Sequence, residues 1–171
     1  MPQHSPAQTV PALHALSRPN RTEVYLESLQ ILERLHRLML DLVKDEFERL
    51  GRAELTPVQA LLIYNLGASE VTAGELRSRG MYQGSNVSYN LKKLVELGYV
   101  HHERCEVDRR AVRVRLTPAG QQVRDCVGAL FARHAAGLDM SGVLDDPMIE
   151  TVNLQWRRIE RYWAEQIRYI Y

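Results

Sequence analysis

The fold is decided by one stretch of the chain, Asp108-Arg109-Arg110-Ala111-Val112-Arg113-Val114-Arg115-Leu116-Thr117-Pro118-Ala119-Gly120. Arginines alternate with aliphatic residues in its middle, which predicts a strand with Val112, Val114 and Leu116 pointing inward. Thr117 and the proline after it predict the N-cap and the first residue of a helix. The stretch therefore predicts a basic β-hairpin that runs directly into a helix, and its arginine-rich turn predicts an anionic partner.

The residues upstream indicate which partner this is. Thr72 and Glu75 form a capping box that begins a short helix, and a second helix is predicted from Ser85 to about Leu97. A strand at residues 99–104 is predicted to pair with the basic strand. Two short helices joined by a turn and followed by a two-stranded hairpin make a winged helix-turn-helix. In this fold the second helix enters the major groove of DNA.

This second helix has two chemically different faces. Its predicted buried face consists of Val87, Leu91, Leu94 and Val95. Its predicted DNA-binding face consists of Ser85, Asn86, Ser88, Tyr89, Lys92 and Lys93. Asparagine and serine near the start of such a helix can hydrogen-bond to base edges, whereas lysines further along reach phosphates.

The hairpin is predicted to supply the rest of the interface. Arg109 and Arg110 at its tip are expected to reach a neighbouring minor groove, where A·T-rich stretches concentrate negative potential. Arg113 is expected on the outer face of the returning strand. Asp108 is a negative charge beside DNA, and its predicted role is to hold an arginine side chain or the amides of the turn.

The distribution of charge favours a nucleic-acid partner. The net charge of the chain is only +1, yet residues 77–115 hold nine lysines and arginines against four acidic residues. That segment therefore carries +5 and the rest of the chain −4. A basic segment within an acidic body is typical of a nucleic-acid-binding module.

Length and composition exclude several other classes. At 171 residues the chain is one domain, or one domain with a dimerising extension. No apolar run approaches the ~20 residues of a membrane span and no secretory signal is present, so no membrane partner is expected. Cys105 and Cys126 are the only cysteines, which favours a reducing cytoplasm. Phosphate-binding loops, dinucleotide fingerprints and hydrolase motifs are missing, so we expect neither an enzyme nor a cofactor.

The chain resembles the MarR family of bacterial transcription regulators. The resemblance rests on Asp108-Arg109-Arg110 followed by Leu116-Thr117 and Gly120, and on Ser85-Asn86-Val87-Ser88 ahead of Leu97-Gly98-Tyr99-Val100. It covers about residues 21–171 and implies an obligate homodimer that binds a pseudo-palindromic DNA operator. We expect a repressor that a small-molecule effector releases.

Within this family pattern, Tyr89 is a departure. The family commonly has arginine there, so the tyrosine favours an apolar or phosphate contact over a contact with guanine. The stretch Gly84–Lys93 further resembles the MarR subgroup that regulates L,D-transpeptidase genes of cell-wall remodelling.

The predicted fold is mainly α with a small β-hairpin wing. The two ends of the chain are predicted to form the dimer. We predict a flexible arm at 1–20, a dimerisation helix at 21–55, the winged helix-turn-helix at 56–117 and C-terminal dimerisation helices at 118–171. Within the last segment, a helix from 118 to about 134 and a loop at 137–146 are expected.

The final helix has a stripe of large apolar residues spaced by threes and fours: Ile149, Val152, Trp156, Ile159, Trp163 and Ile167. One small winged helix cannot cover this stripe together with that of the first helix. An intertwined homodimer is therefore expected, and packing within one chain is the alternative.

The sequence also contains candidate residues for an effector pocket and for a metal site. The MarR resemblance implies an effector pocket, with His36, Met39, Tyr64 and Tyr82 as candidate lining residues and ordinary core positions as the alternative. The run His101-His102-Glu103-Arg104-Cys105 lacks the spacing of converging ligands, so no metal site is expected.

The alternative function is a helical protein–protein adaptor, which has little use for a face of arginines.

Overall fold

The computed structural model describes residues 20–67, 71–72, 84–104, 112–143 and 145–170. Within these ranges the chain forms five helices and three strands. In chain order they are α1 (Arg21–Arg49), α2 (Pro57–Leu66), β1 (Val71–Thr72), α3 (Gly84–Glu96), β2 (Val100–Arg104), β3 (Val112–Leu116), α4 (Pro118–Ser141) and α5 (Asp146–Ile170). This arrangement confirms the predicted fold class. None of the helices in the described ranges combines the length and the apolar character that a membrane crossing requires.

Three predicted segments lie outside the described residues. They are the N-terminal arm up to residue 19, the short helix that follows Thr72, and the tip of the hairpin at 105–111.

The chain divides into two compact units, residues 1–39 and 40–171, and the boundary lies within α1. In the first unit, Asn20 caps the start of α1. Its Oδ1 accepts a hydrogen bond from the backbone N–H of Glu23 at 3.0 Å, and the Glu23 carboxylate accepts one from the backbone N–H of Asn20 at 3.0 Å. These two bonds satisfy donors that the first turn of a helix leaves without a partner.

In the second unit, α2 lies at the centre of the core. Thr56 caps it, since its Oγ1 accepts from the Gln59 N–H at 3.3 Å while the Gln59 side chain accepts from the Thr56 N–H at 3.1 Å. The buried residues of α2 are Gln59, Ala60, Leu61, Leu62, Ile63 and Leu66. The helix packs against α4, which buries Gly120, Val123, Val127 and Leu130. Each large aliphatic side chain buried here contributes about 1.5–3 kcal/mol, and the extensive burial makes α2 central to the core.

The sheet has three antiparallel strands in the order β1-β3-β2. β2 and β3 form the predicted hairpin, with Glu103 opposite Arg113. β1 adds a third strand that sequence reasoning missed, and it pairs Val71 with Val114. Val114 is completely buried between its neighbours, while Arg113 and Arg115 are exposed. The predicted alternation of inward aliphatic and outward arginine residues is thus confirmed at these positions.

The predicted loop at 137–146 is wrong in its first half, because α4 continues through Gly137 to Ser141. A glycine inside a helix costs about 1 kcal/mol relative to alanine, and the good helix formers around it offset this cost. The helix ends where Gly142 adopts the left-handed conformation, with φ of 64°. Asp145 then caps α5, since its Oδ1 accepts a hydrogen bond from the Met148 N–H at 2.8 Å.

Candidate nucleic-acid interface

α3 separates a buried face from an exposed face, as its sequence predicts. Leu91 and Leu94 are buried, and the helix contacts β2. Its exposed side presents Ser88, Tyr89, Lys92 and Lys93. Four predicted DNA-contact residues therefore share the solvent side of one helix. Ser85 and Asn86 lie in its first turn, and their side chains, like that of Val87, lie outside the described part of the chain.

Two details of this helix correct the prediction. Val95 is 36% exposed rather than buried, because it lies about 100° around the helix from Leu94 and so at the margin of the buried stripe. The helix begins at Gly84, one residue before the predicted cap Ser85. Apolar spacing sets the face of a helix but leaves its first residue uncertain by one or two positions.

Tyr89 is 70% exposed and adds an aromatic ring to the lysine-bearing face. Its hydroxyl can donate to a phosphate oxygen, and its ring can pack on a sugar or a thymine methyl group. The Nζ of Lys93 lies 3.2 Å from the Glu96 carboxylate, with both side chains about half exposed. An exposed pair of this kind is weak, so it does not prevent Lys93 from turning towards a phosphate.

The hairpin places a second set of charges on an exposed face. Arg113 and Arg115 of β3 lie opposite Glu103 and His101 of β2, respectively, and all four side chains are exposed. The guanidinium of Arg115 lies 3.1 Å from the Glu103 carboxylate. The predicted tip residues Asp108, Arg109 and Arg110 lie outside the described residues, so their groove contact stays a prediction.

A cluster of hydrogen bonds joins the end of α3 to the start of α4. Thr117 caps α4 by accepting from the Gly120 N–H at 3.1 Å, and its hydroxyl donates to the Gly98 carbonyl at 2.7 Å. The Thr117 N–H also donates to the Tyr99 carbonyl at 3.1 Å. A Cβ atom on Gly120 would collide with that same carbonyl. The Thr-Pro pattern predicts the cap, but not this second role in holding the turn that leads into the wing.

Tyr99 extends this junction to the loop before α2. Its hydroxyl donates to the Glu54 carboxylate at 2.7 Å. This hydrogen bond lowers the pKa of Glu54, while burial and the same bond raise the pKa of Tyr99. Sequence reasoning missed the pair because the two residues are far apart in the chain.

A buried carboxylate joins the end of α1 to α4. Glu46 accepts from Arg49 at 2.9 Å and from Arg133 at 2.7 Å, and it is itself buried. Hydrogen bonds from the two guanidinium groups lower the pKa of Glu46 to about 2. The carboxylate is therefore ionised at neutral pH and anchors α4, the helix that follows the wing.

The predicted effector residues are distributed over both units. His36 is exposed and Met39 half-buried on α1 in the first unit. Tyr64, in the second unit, packs edge-on against Phe131 with ring centres 5.4 Å apart, and Tyr82 lies outside the described residues. A cleft of about 200 Å³ is lined by Lys44, Phe47, Glu48, Ala53, Leu55, Thr56 and Pro57. It includes none of the four predicted residues, so the effector pocket stays a prediction.

The predicted dimer stripe on α5 is incompletely covered by the single chain. Ile149, Trp156, Ile159 and Trp163 are half-buried, whereas Val152 and Ile167 are exposed. α5 makes at most sparse contact with the other described elements of its own unit. The apolar stripe of this amphipathic helix is therefore only partly covered within its own unit.

The histidine-containing run at 101–105 and the two cysteines lie only partly within the described ranges. Within those ranges, no group of three or more histidine, cysteine or acidic side chains is placed to hold a metal ion. Cys126 is half-buried on α4, and Cys105 lies outside the described residues.

Comparison with known proteins identifies relatives of this chain. A family model of the winged helix DNA-binding domain matches residues 55–120. The exopolysaccharide II synthesis transcriptional activator ExpG of Rhizobium meliloti (strain 1021) is 34% identical over 146 residues, which cover 85% of this chain and 74% of that protein.

Two solved structures share the fold. A MarR transcriptional regulator from Methanosarcina mazei Go1 has a TM-score of 0.65 at 20% identity, over 81% of this chain and 98% of that one. A mutant MarR from E. coli, complexed with operator DNA, has a TM-score of 0.63 at 16% identity, over 82% and 99% of the two chains.

Proposed function

Because this chain belongs to the same family as the transcriptional activator ExpG, with a winged helix DNA-binding domain, and shares its fold with MarR regulators, we propose that it is a regulator of the MarR type that binds a pseudo-palindromic operator as a homodimer. α3 enters the major groove and the wing lies along the neighbouring minor groove. The observation that carries the proposal is the exposed face of α3, where Ser88, Tyr89, Lys92 and Lys93 lie opposite the buried leucines. A helix that is anchored on one face and polar and basic on the other has the form of a recognition helix.

The side chains divide into base-reading and phosphate-binding roles. Ser85, Asn86 and Ser88 near the start of α3 read base edges, because their side chains can both donate and accept hydrogen bonds. Lys92 and Lys93 bind phosphates. Tyr89 makes an apolar or phosphate contact, and base selectivity is carried by the residues before it.

The wing has a separate role in this proposal. Arg109 and Arg110 enter the minor groove, Arg113 binds the backbone beside it, and Asp108 holds the arginine fork in place. Minor-groove contact by arginine depends on groove width more than on base identity. The wing therefore adds affinity and a preference for A·T-rich flanks, while α3 supplies the operator sequence.

The homodimer is supported by the incompletely covered stripe on α5 and by the exposed leucines of α1. Stable homodimer interfaces are built from large apolar surfaces of this kind. A two-fold dimer also explains why an operator should have two matching halves. In this arrangement residues 56–117 are the DNA-binding domain, within the matched residues 55–120, and the two ends of the chain dimerise.

Mobility-shift titration against the DNA upstream of the chain's own reading frame tests the proposal. We expect specific binding whose affinity falls steeply with salt, because phosphate contacts release counterions. Arg110→Ala should weaken binding by about 1–3 kcal/mol, and Lys93→Ala should reduce the salt slope by about 1. Wild-type affinity in Arg110→Ala contradicts the wing contact. Failure to prefer the upstream DNA over a scrambled duplex favours the protein–protein adaptor instead.

The direction of regulation has two candidates. The MarR resemblance favours a repressor that a small molecule releases, whereas ExpG is named a transcriptional activator, which favours activation. A promoter fusion in strains with and without the chain separates them, since reporter output rises on deletion of a repressor and falls on deletion of an activator.

The regulated genes also have two candidates. The sequence around the recognition helix favours L,D-transpeptidase genes, and the name of ExpG favours exopolysaccharide synthesis. Comparing the transcripts of the same two strains decides between these targets.

A further inference from the structure

Tyr99 lies where α3 ends and the wing begins, and its three polar groups bond to three different parts of the chain. Its N–H donates to the Leu94 carbonyl at 2.9 Å, which closes the last turn of α3. Its carbonyl accepts from the Thr117 N–H at 3.1 Å, at the start of α4. Its hydroxyl donates to the Glu54 carboxylate at 2.7 Å. One residue therefore joins the candidate recognition helix to α4 and to the loop that leads into α2.

The third of these bonds is the one that depends on the tyrosine side chain. The two backbone bonds form with other residues at this position as well, so they persist when the tyrosine is replaced by phenylalanine. The bond from the hydroxyl spans 45 residues of the chain. Replacing Tyr99 by phenylalanine therefore removes the link to the loop before α2 and leaves the links to α3 and α4 in place.

The loop that carries Glu54 is held on both sides. Gly51, with φ of 68°, turns the chain at the end of α1, and the Arg52 N–H donates to the Phe47 carbonyl at 2.8 Å. On the other side, Leu55 is buried and α2 begins two residues after it. The backbone at Glu54 is therefore fixed, and its carboxylate is a defined acceptor for the tyrosine hydroxyl.

This hydrogen bond is not needed to satisfy a buried group. Glu54 is exposed and Tyr99 is only half-buried, so water can serve both side chains when the bond is broken. A bond between groups that water also satisfies contributes modestly to stability. Its place between the end of α3 and the loop before α2 suits it instead to fixing the position of the candidate recognition helix.

We propose that Glu54 and Tyr99 are positioning residues for sequence-specific DNA binding. Their hydrogen bond holds the C-terminal end of α3 in the position from which its exposed face reads bases, so the helix is ordered before DNA arrives. Base readout requires side chains held to within about 0.5 Å, whereas contacts with phosphates carry no sequence information. The inference rests on the proposed function and deepens it, because it names residues that control specificity without contacting DNA.

The test measures the Kd of the full chain for the upstream duplex and for a scrambled duplex by fluorescence anisotropy. The ratio of the scrambled Kd to the upstream Kd gives the specificity. Tyr99→Phe should lower this ratio by about two- to tenfold, the factor that corresponds to ordering one side chain on binding. Its affinity for the scrambled duplex should stay at the wild-type value. A purely structural role would lower the active fraction and weaken both complexes alike, which leaves the ratio unchanged.

Substitutions of Glu54 separate the hydrogen bond from the charge. Glu54→Ala removes the acceptor and should lower the ratio as much as Tyr99→Phe does. Glu54→Gln removes the same negative charge, but its amide oxygen can still accept the bond, so it should keep most of the wild-type ratio. The double variant Glu54→Ala with Tyr99→Phe should lose no more than either single variant, because both substitutions remove the same bond.

A tyrosine elsewhere supplies the matched control for the lost hydroxyl. Tyr162 is exposed on α5, and Tyr162→Phe should leave the ratio unchanged. Three results overturn the inference: a wild-type ratio in Tyr99→Phe, equal losses in Glu54→Gln and Glu54→Ala, or additive losses in the double variant. Because Glu54 is exposed, the comparison of its two variants decides the question if Tyr99→Phe is unstable.

Failure of the proposed function has a different signature. In that case the wild-type chain itself shows no preference for the upstream duplex, and the inference falls with it. A wild-type chain that prefers the upstream duplex, while Tyr99→Phe and Glu54→Ala keep the same ratio, overturns the positioning role alone. Circular dichroism at the temperature of the binding measurement checks that each variant is folded.

Discussion

The hydroxyl of Tyr99 donates a 2.7 Å hydrogen bond to the carboxylate of Glu54, 45 residues earlier in the chain. Tyr99 lies between α3 and β2, and Glu54 lies in the loop before α2. The turn that leads from the candidate recognition helix into the wing is thereby tied to the helical core. A second tie comes from Thr117, whose N–H donates to the Tyr99 carbonyl. The position of α3 relative to the wing therefore depends in part on the hydrogen bonds of Tyr99, a residue that belongs to neither element.

Removing the Tyr99 hydroxyl should destabilise the fold modestly. We expect Tyr99→Phe to lower the free energy of unfolding by about 1 kcal/mol, the usual net contribution of one hydrogen bond. Urea unfolding measures this change. Tyr162→Phe, at an exposed tyrosine of α5, is the control and should be neutral. Equal stabilities for the two variants would show that the Glu54 contact contributes nothing.

The Glu46 cluster should give the stability a specific pH dependence. Because two arginines lower the pKa of Glu46 to about 2, below its ordinary value in the unfolded chain, its contribution is fully present above about pH 5. It is lost as the pH falls towards 2. Glu46→Gln should therefore lower the free energy of unfolding by on the order of 2 kcal/mol at pH 7 and by less at about pH 3.5.

Glu48→Gln is the control for this prediction. Glu48 lies on the same helix and is exposed, with Lys44 at 3.7 Å. Its substitution should change stability little at either pH. A difference between wild type and Glu46→Gln that is the same at both pH values argues against a role for the carboxylate charge.

Two glycines of α4 should respond in opposite directions to alanine. A Cβ on Gly120 meets the Tyr99 carbonyl, whereas a Cβ on Gly137 meets nothing within 4 Å. Gly120→Ala should therefore destabilise the chain by about 2–4 kcal/mol, since backbone must move. Gly137→Ala should stabilise it by about 0.4–1 kcal/mol through helix propensity. Thermal unfolding of both variants checks the signs, and stabilisation by Gly120→Ala contradicts the close approach.

A charge on the α5 stripe should disrupt the proposed dimer. Val152 and Leu154 are exposed to nearly the same extent in the single chain, 45% and 48%, but they lie on opposite sides of the helix. Val152→Arg should weaken dimerisation, and Leu154→Arg should leave it intact, as measured by light scattering over a range of concentrations. If both variants stay dimeric, or if only Leu154→Arg dissociates, the stripe is not the interface.

Local patterns predicted most of this fold. The Thr-Pro pair at Thr117 correctly predicted the start of α4, because a cap is defined by adjacent residues. The alternation of valine and arginine predicted which side of β3 is buried, because side chains in a strand alternate between faces. The exposed side of α3 followed from the spacing of its leucines in the same way.

The structural features that were not predicted from the sequence have physical causes that no local pattern reveals. A two-residue strand such as β1 is too short to show a period, so it escaped prediction. Residues around Gly137 are compatible with both a helix and a loop, and the structure continues the helix. The contacts of Tyr99 with Glu54 and of Glu46 with Arg133 join residues distant in sequence. Such contacts depend on how the helices pack, not on the residues beside them.

The proposed homodimer presents two copies of α3 to one face of the DNA. Hydroxyl-radical footprinting on the upstream duplex tests it most directly, with Tyr89→Ala and Lys92→Ala as variants of the exposed face. We expect two protected half-sites whose centres lie about 10–10.5 base pairs, or a multiple of that distance, apart. Both half-sites should weaken together in each variant. A single protected segment, or a footprint that both variants leave unchanged, would contradict it.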